Sequence, residues 1–182
     1  MPSKILPTGL DLLSNHLKKL ITPRTNLLYL YLLILKNMKK KIGLGLLVLL
    51  VIIQFIRPTR NISSTESPNE ISKFYNVPDE IHAVLKKSCY DCHSNNTNYP
   101  WYVNIQPVGW WLQRHINEGK KELNFEEFGT YVEKRAKHKF DEIEELVREG
   151  EMPLGSYTLI HRDAKLTPEQ SEAIAAWAGA LK

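Results

Sequence analysis

Five consecutive residues carry most of the chemistry this chain can be read to perform: Cys89-Tyr90-Asp91-Cys92-His93. The two cysteines are the only ones in 182 residues, and both fall inside this motif. C-x-x-C-H is the attachment pattern for c-type haem. Two thiols three positions apart reach the two vinyl groups on one edge of a porphyrin and form thioethers. The histidine that follows turns under the ring and offers an imidazole nitrogen to the iron. One covalent haem c, with its iron, is therefore the expected cofactor. Three other uses compete for the same residues. A thioredoxin-like redox pair wants a strand before the motif, and here an amphipathic helix pattern precedes it. A zinc site needs a further ligand, such as His115 or His161, and usually a second C-x-x-C. A disulfide between residues three apart closes only a tiny loop.

An iron held by His93 on one face needs a partner on the other. Beyond Met1 and Met38, the only methionine is Met152, in the loop Glu151-Met152-Pro153-Leu154-Gly155. A thioether there would raise the reduction potential relative to two histidines. The competing readings are a core-filling Met152, His161 as the distal ligand, and then His115 or an open site. Aromatic residues crowd the stretch Tyr99, Trp101, Tyr102, Trp110 and Trp111. Trp101 is the candidate among them to wall a haem pocket or bond a propionate, against ordinary core packing. Arg114 is a candidate propionate partner, against a solvated helix face. His16, His82 and His138 read as surface or hydrogen-bonding residues.

The elements that must position these residues read as helices. Pro78-Asp79-Glu80 opens one, with acids in its first turn, and Ile81, Val84 and Leu85 give it an apolar stripe that runs into Cys89. Residues 94–106 read as loop. Pro107 starts a helix that ends at Glu118, with Gly119 as its stop. Asn124 caps a third helix over Phe125–His138, and Lys139–Glu149 forms a fourth, ended by Gly150. A loop follows to Leu166. Thr167-Pro168-Glu169-Gln170 then opens a last helix, whose Trp177 is expected to pack on the helix bearing Ile81 and Leu85. No strand pattern and no repeat stands out. The fold class is all-α, a small helical domain whose modest core a bound cofactor completes.

Charge divides the chain. Residues 1–60 hold ten Lys/Arg and one acid, net +9, whereas residues 61–182 hold fourteen Lys/Arg and nineteen acids, net −5. An acidic domain argues against a nucleic-acid-binding surface. The run Ile42–Ile56 is apolar except at Gln54 and is flanked by Lys39–Lys41 and Arg57. As a helix it reaches roughly 22 Å, against a hydrocarbon core of about 30 Å, with snorkelling cations extending it. It has no small-residue cleavage site, so an uncleaved transmembrane anchor over 38–57 is expected, with a cleaved signal or a buried core helix as competitors. Lysines before the run place the C-terminal domain on the exported side, the periplasm in a bacterium. Residues 1–37 read as upstream sequence before a start at Met38; the competing reading is a second membrane segment at Leu27–Leu35. Residues 58–77, rich in Ser, Thr, Pro and Asn, read as a linker to a domain over 78–182.

Together with these residues, Asn98-Tyr-Pro-Trp-Tyr102, Pro107-Val-Gly-Trp-Trp111, Glu118-Gly-Lys-Lys-Glu-Leu-Asn-Phe125, Met152-Pro153 with Tyr157, His161 before Leu166-Thr167, and Trp177 resemble the small bacterial haem-binding domain proteins, a branch of the c-type cytochromes. The resemblance covers residues 75–182 and extends to the leader Met38–Pro58. It implies covalent haem, tethering to the inner membrane, and a redox role with an unnamed protein partner. The expected function is one-electron transfer rather than an enzymatic one. The alternatives are a haem enzyme such as a peroxidase with an open iron, a redox or gas sensor, and, more distantly, a C-x-x-C thiol oxidoreductase.

Overall fold

The computed structural model describes the backbone of residues 9–182, with side chains from residue 27 onward, Leu28 excepted. Among the described residues every regular element is helical. The chain divides into two compact units, Met1–Phe55 and Ile56–Lys182.

In the first unit, helix α1 runs from Gly9 to Ile53. It differs from the expected anchor over 38–57. Lys39, Lys40 and Lys41 lie inside the helix, so the apolar stretch between the last lysine and the helix end is Ile42–Ile53, roughly 18 Å long at 1.5 Å per residue. Among the described residues no helix is long and apolar enough to cross a membrane, which corrects the transmembrane expectation. Within this stretch the apolar side chains from Ile42 to Ile52 are all about half exposed. The first eight residues of the segment 1–37 lie outside the described residues.

The second unit begins well before the expected domain boundary at 78. Residues 58–77 are part of the packed domain and not a linker. Asn61 acts as a fastener: its N–H donates to Tyr99 Oη at 2.7 Å, its side-chain amide donates to Ser94 O and Thr97 Oγ1, both at 2.9 Å, and its Oδ1 accepts from Lys120 Nζ at 2.5 Å. Trp110 Nε1 donates to Ile56 O at 2.7 Å. Further along, Ile71 is fully buried, and Tyr75 meets Phe128 and Phe140 edge-on at 5.4 and 5.0 Å.

Helix α2, Asp79–Ser88, buries Ile81 and Leu85 as its stripe requires. The motif itself forms the single turn α3, Tyr90–His93. Helix α4, Val108–Glu122, runs through Gly119 to Glu122. The expected third and fourth helices are arranged differently. Residues Phe125–Thr130 make a 3-10 turn, capped by Asn124, that buries Phe125 and Phe128. A single helix α5, Glu133–Arg148, follows. The reason is the spacing: Ala136, Phe140, Ile143 and Val147 form one uninterrupted buried stripe across the expected break. A short helix α6, Gly155–Thr158, leads to α7, Pro168–Gly179, which opens with a full capping box between Thr167 and Gln170. Helix α7 lies along α5. Its Trp177 packs edge-on against Phe140 at 5.7 Å and donates its indole N–H to Asn76 O, so its principal partner is α5 rather than α2. One core joins Ile71, Leu85, Phe125, Phe128, Phe140 and Ile174. A smaller one, Val103, Leu112 and Ile116, backs Cys92.

Candidate haem-binding site

The site is assembled around α3. Cys89 closes α2, its N–H donating to Leu85 O at 2.8 Å, and Cys92 and His93 both donate back to Cys89 O, at 3.1 and 3.0 Å. One helical turn between positions i and i+3 brings the two sulfurs to the same side. Asp91, between the cysteines, braces this turn. Its Oδ1 accepts from the Asn98 N–H at 3.0 Å, its Oδ2 from Tyr157 Oη at 2.7 Å, and its carbonyl from Thr97 Oγ1 at 2.6 Å.

His93 is fixed by the end of α4. Its Nδ1 lies 3.0 Å from both Gly119 O and Leu123 O. Two carbonyls can only accept, so Nδ1 carries the proton and Nε2 keeps its lone pair, the tautomer a metal-binding imidazole needs. Burial lowers the pKa of the ring, opposed by these two hydrogen bonds, and His93 stays neutral. Gly119 is required for this approach: a Cβ there would lie 2.8 Å from Cys92 O and 3.2 Å from Cys92 Cβ. The residue expected to stop α4 instead lets it touch the motif.

Met152 is delivered by the end of α5. Gly150 has φ +74°, its N–H donates to Val147 O at 3.2 Å, and the Glu151 N–H donates to Leu146 O at 2.9 Å. This is a Schellman turn, and it folds the chain back so that Met152 packs against the core beside α5.

Two adjoining cavities open between these elements, about 230 and 210 Å³ in volume. Each alone is below the roughly 300–1,000 Å³ of a cofactor pocket, and together they come within it. Cys89, His93, Met152 and Pro153 line both, and Cys92, His115 and Tyr157 line the first. The walls of the second are mostly apolar, with Leu85, Phe125, Ile143 and Val147. Burial pushes the Cys89 thiol up to about 12, aided by Cys92 beside it, and the Cys92 thiol up to about 11, aided by Asp91. Both remain protonated at neutral pH. A thiol redox centre requires the opposite shift. No cluster of three or more histidine, cysteine or carboxylate side chains suited to a metal ion occurs among the described residues, which leaves the zinc reading without its ligands. An apolar slot, two adjacent thiols, a histidine of fixed tautomer and a thioether on one wall fit a c-type haem.

A sequence model of the haem-binding domain matches residues 48–180. The chain belongs to the haem-binding domain family. No curated protein and no solved structure matches it.

Within this haem-binding domain, Cys89, Cys92, His93 and Met152 are brought to one cavity, while three other candidates are not. Trp101 is 76% exposed and touches Tyr102 instead of the cavity wall. Arg114 is spent on Glu118, Nε to Oε1 at 2.8 Å, on the exposed face of α4. His161 stacks on Tyr157 and bonds Tyr102 Oη at 2.7 Å, outside the cavity lining. His115 does line the cavity, with Nδ1 2.8 Å from Trp111 O. Sequence reasoning missed Lys139, which sits in the second cavity with its side chain 9% exposed, paired to Glu142 at 2.5 Å and Glu122 at 3.8 Å. It looked like one of many lysines on a solvated helix face. Only its place one residue before Phe140 in the buried stripe marked it out.

Proposed function

We propose that this haem-binding domain carries one covalent haem c and acts as a single-electron carrier. Cys89 and Cys92 hold the haem by thioethers, His93 is the proximal iron ligand and Met152 the distal one. The observation that carries this reading is the convergence of those four side chains on one cavity, with His93 Nδ1 tied to Gly119 O and Leu123 O. When bound, the haem supplies a one-electron iron couple. The chain's own residues do the rest. Gly119 and Leu123 fix the imidazole orientation and leave Nε2 to the metal. The Schellman turn at Gly150 aims Met152. Leu85, Phe125, Ile143 and Val147 exclude water, which with a thioether ligand favours the reduced, less charged state. Lys139, held by Glu142 and Glu122, is the cation placed to offset a propionate. An iron ligated on both faces has no vacancy for a substrate, which suits a carrier and sets the peroxidase reading second.

The same reading places the domain in the periplasm of a bacterium, held at the inner membrane by the apolar stretch from Ile42 to Ile56. What supports this is the exposure of its apolar side chains from Ile42 to Ile52: an apolar helix face needs an apolar surrounding, and a stretch of this length suits an interfacial or re-entrant segment. Its redox partner is a protein with a basic face, since residues 61–182 carry net −5.

Ligation is tested by optical and magnetic circular dichroism spectra of the ferric protein, made with the haem-attachment machinery, with and without Met152→Ala. Loss of the thioether-to-iron charge-transfer band in the variant is the expected result. An unchanged spectrum overturns Met152 as the ligand, and a change confined to His115→Ala transfers that role to His115.

A further inference from the structure

Between Trp101 and Trp111 the domain leaves four large apolar side chains in solvent: Trp101, Ile105, Val108 and Trp111. They sit on neighbouring turns. Trp101 opens the 3-10 turn Trp101–Asn104, which packs against α4, and Ile105 closes it, its carbonyl accepting from the Gly109 N–H at 3.1 Å. Val108 and Trp111 lie one turn apart on the exposed arc of α4, whose other arc buries Gly109, Leu112, Gln113 and Ile116. Tryptophans 76% and 47% exposed, as Trp101 and Trp111 are, add little to a core. The start of the domain runs beside this face. Trp110 Nε1 donates to Ile56 O at 2.7 Å. Arg60 donates from Nη2 to Asn104 Oδ1 at 2.7 Å, with its guanidinium 5.3 Å from the Tyr99 ring centre. Ile56 is the last residue of the apolar stretch Ile42–Ile56, so that stretch ends on this face. The charge here is also distinct. Residues 56–65 and 98–117 hold Arg57, Arg60 and Arg114 and no acid, net +3, whereas the rest of residues 56–182 is net −6. Arg114 shares its charge with Glu118, which leaves Arg57 and Arg60 as the principal cations of the face.

We propose that Trp101, Ile105, Val108 and Trp111, flanked by Arg57 and Arg60, form a docking face for the headgroup region of an anionic lipid bilayer. The proposal rests on the membrane reading above and adds that the folded domain itself lies on the lipid, by one defined face. Tryptophan rings settle at headgroup level, and arginines beside them pair with lipid phosphates. A protein partner with a basic face is repelled here and drawn to the acidic remainder of the domain. A second copy meeting this face with the same face would set like charges against each other. Trp111 also touches His115, with ring centroids 4.3 Å apart, and His115 lines the first cavity. Docking by this face therefore brings that wall of the cavity toward the lipid.

The test uses the full chain, carrying a nitroxide on Ile105→Cys or, as an exposed control outside the face, on Val132→Cys. Cys89 and Cys92, held protonated by burial as thiols or tied up as thioethers, do not take the label. Flotation with vesicles of phosphatidylethanolamine and phosphatidylglycerol reports whether the chain binds lipid. Electron paramagnetic resonance with oxygen and an aqueous nickel chelate reports where each label lies. The expected result is a chain that floats, with the label at 105 shielded from nickel and reached by oxygen, and the label at 132 as open to nickel as without vesicles. Arg57→Gln lowers the ratio of docked to undocked domain about fivefold, the contribution of one cation at an anionic surface. Replacing both exposed indoles, as Trp101→Ser with Trp111→Ser, lowers it by about tenfold or more through the apolar area lost from the contact. Both variants still float by the apolar stretch. A floating chain whose label at 105 stays open to nickel overturns the docking face and leaves the membrane reading standing. A label at 105 that is shielded without vesicles, in a chain with the mass of a dimer, gives the face to a second copy and overturns the lipid. A chain that does not float refutes the membrane reading and the docking face with it.

Discussion

Gly119→Ala is the substitution on which the geometry bears hardest. The new Cβ would stand 2.8 Å from Cys92 O and 3.2 Å from Cys92 Cβ. The closer neighbour is backbone, so no side chain can swing away, and either α4 or the motif turn must move. Overpacking of this kind costs about 1–3 kcal/mol. Placing alanine inside a helix returns roughly 0.5–1 kcal/mol. The net is a destabilisation of about 1–2 kcal/mol. At roughly 3–6 °C per kcal/mol for a domain of this size, Tm falls by about 3–12 °C. A second effect follows from the same movement. Gly119 O is one of the two acceptors that orient His93, so displacing it loosens the imidazole and lowers the yield of haem-loaded protein. The assay is thermal denaturation followed by circular dichroism, together with haem content per chain. Gly155→Ala is the control, since nothing lies within 4 Å of its added Cβ, and its change stays within about 0.5 kcal/mol. Equal Tm values for Gly119→Ala and the parent would refute the close approach of α4 to the motif.

Removing the Asn61 side chain, as Asn61→Ala, strips three hydrogen bonds that fasten residues 56–61 to the domain; at about 1 kcal/mol each, the urea midpoint falls by the equivalent of roughly 2–4 kcal/mol, and an unchanged midpoint would return this segment to linker status. Without haem, the folded domain loses stability as pH rises from about 9.0 to about 12. Below that window folded and unfolded thiols are both protonated; within it the unfolded thiols ionise while buried Cys89 and Cys92 hold their protons, so rising pH favours unfolding. Thioether formation removes both thiols and their share of this loss, so the onset moves up toward the range above about 10.0 where the unfolded-state phenols of Tyr90 and Tyr157, raised by burial in the fold, take over, which pH-dependent denaturation of both forms detects. Lys139→Met leaves Glu122 and Glu142 solvated, at 71% and 37% exposure, so the haem-free domain stays as stable or gains about 1 kcal/mol. In the haem-loaded protein the reduction potential falls with the loss of a buried positive charge. A stability loss above roughly 2 kcal/mol in denaturant titrations would show the ion pair to be structural.

How much of this was legible beforehand depended on how local the cause was. The C-x-x-C-H motif reads directly from sequence because its residue types and spacing all fall within five positions. Met152 stood out as the one methionine beyond Met1 and Met38, and the structure puts it on the cavity wall; α2 and α7 read by their caps and stripes. The break between Phe125 and Glu133 did not, because Asn124 is a genuine cap, but of a 3-10 turn whose short reach follows from burying both Phe125 and Phe128. Residues 58–77 look like a linker in composition, yet Asn61 and Tyr75 find partners between 33 and 65 positions away along the chain and Ile71 is fully buried, which composition cannot register. Gly119 resembled an ordinary helix stop, and its contact with Cys92 exists only in three dimensions. Trp101 and His161 were singled out for the cavity, yet both lie outside its lining and touch Tyr102 instead, a placement that no local pattern encodes.

The central claim is that Cys89 and Cys92 hold a haem covalently in front of His93. It is tested most directly by denaturing the purified protein, extracting it with acidified organic solvent, and measuring haem and intact mass on the polypeptide. The account predicts one haem retained per chain, lost when both cysteines are replaced by alanine. Haem that extracts completely from the parent chain, or that stays attached in the Cys89→Ala/Cys92→Ala variant, would contradict it.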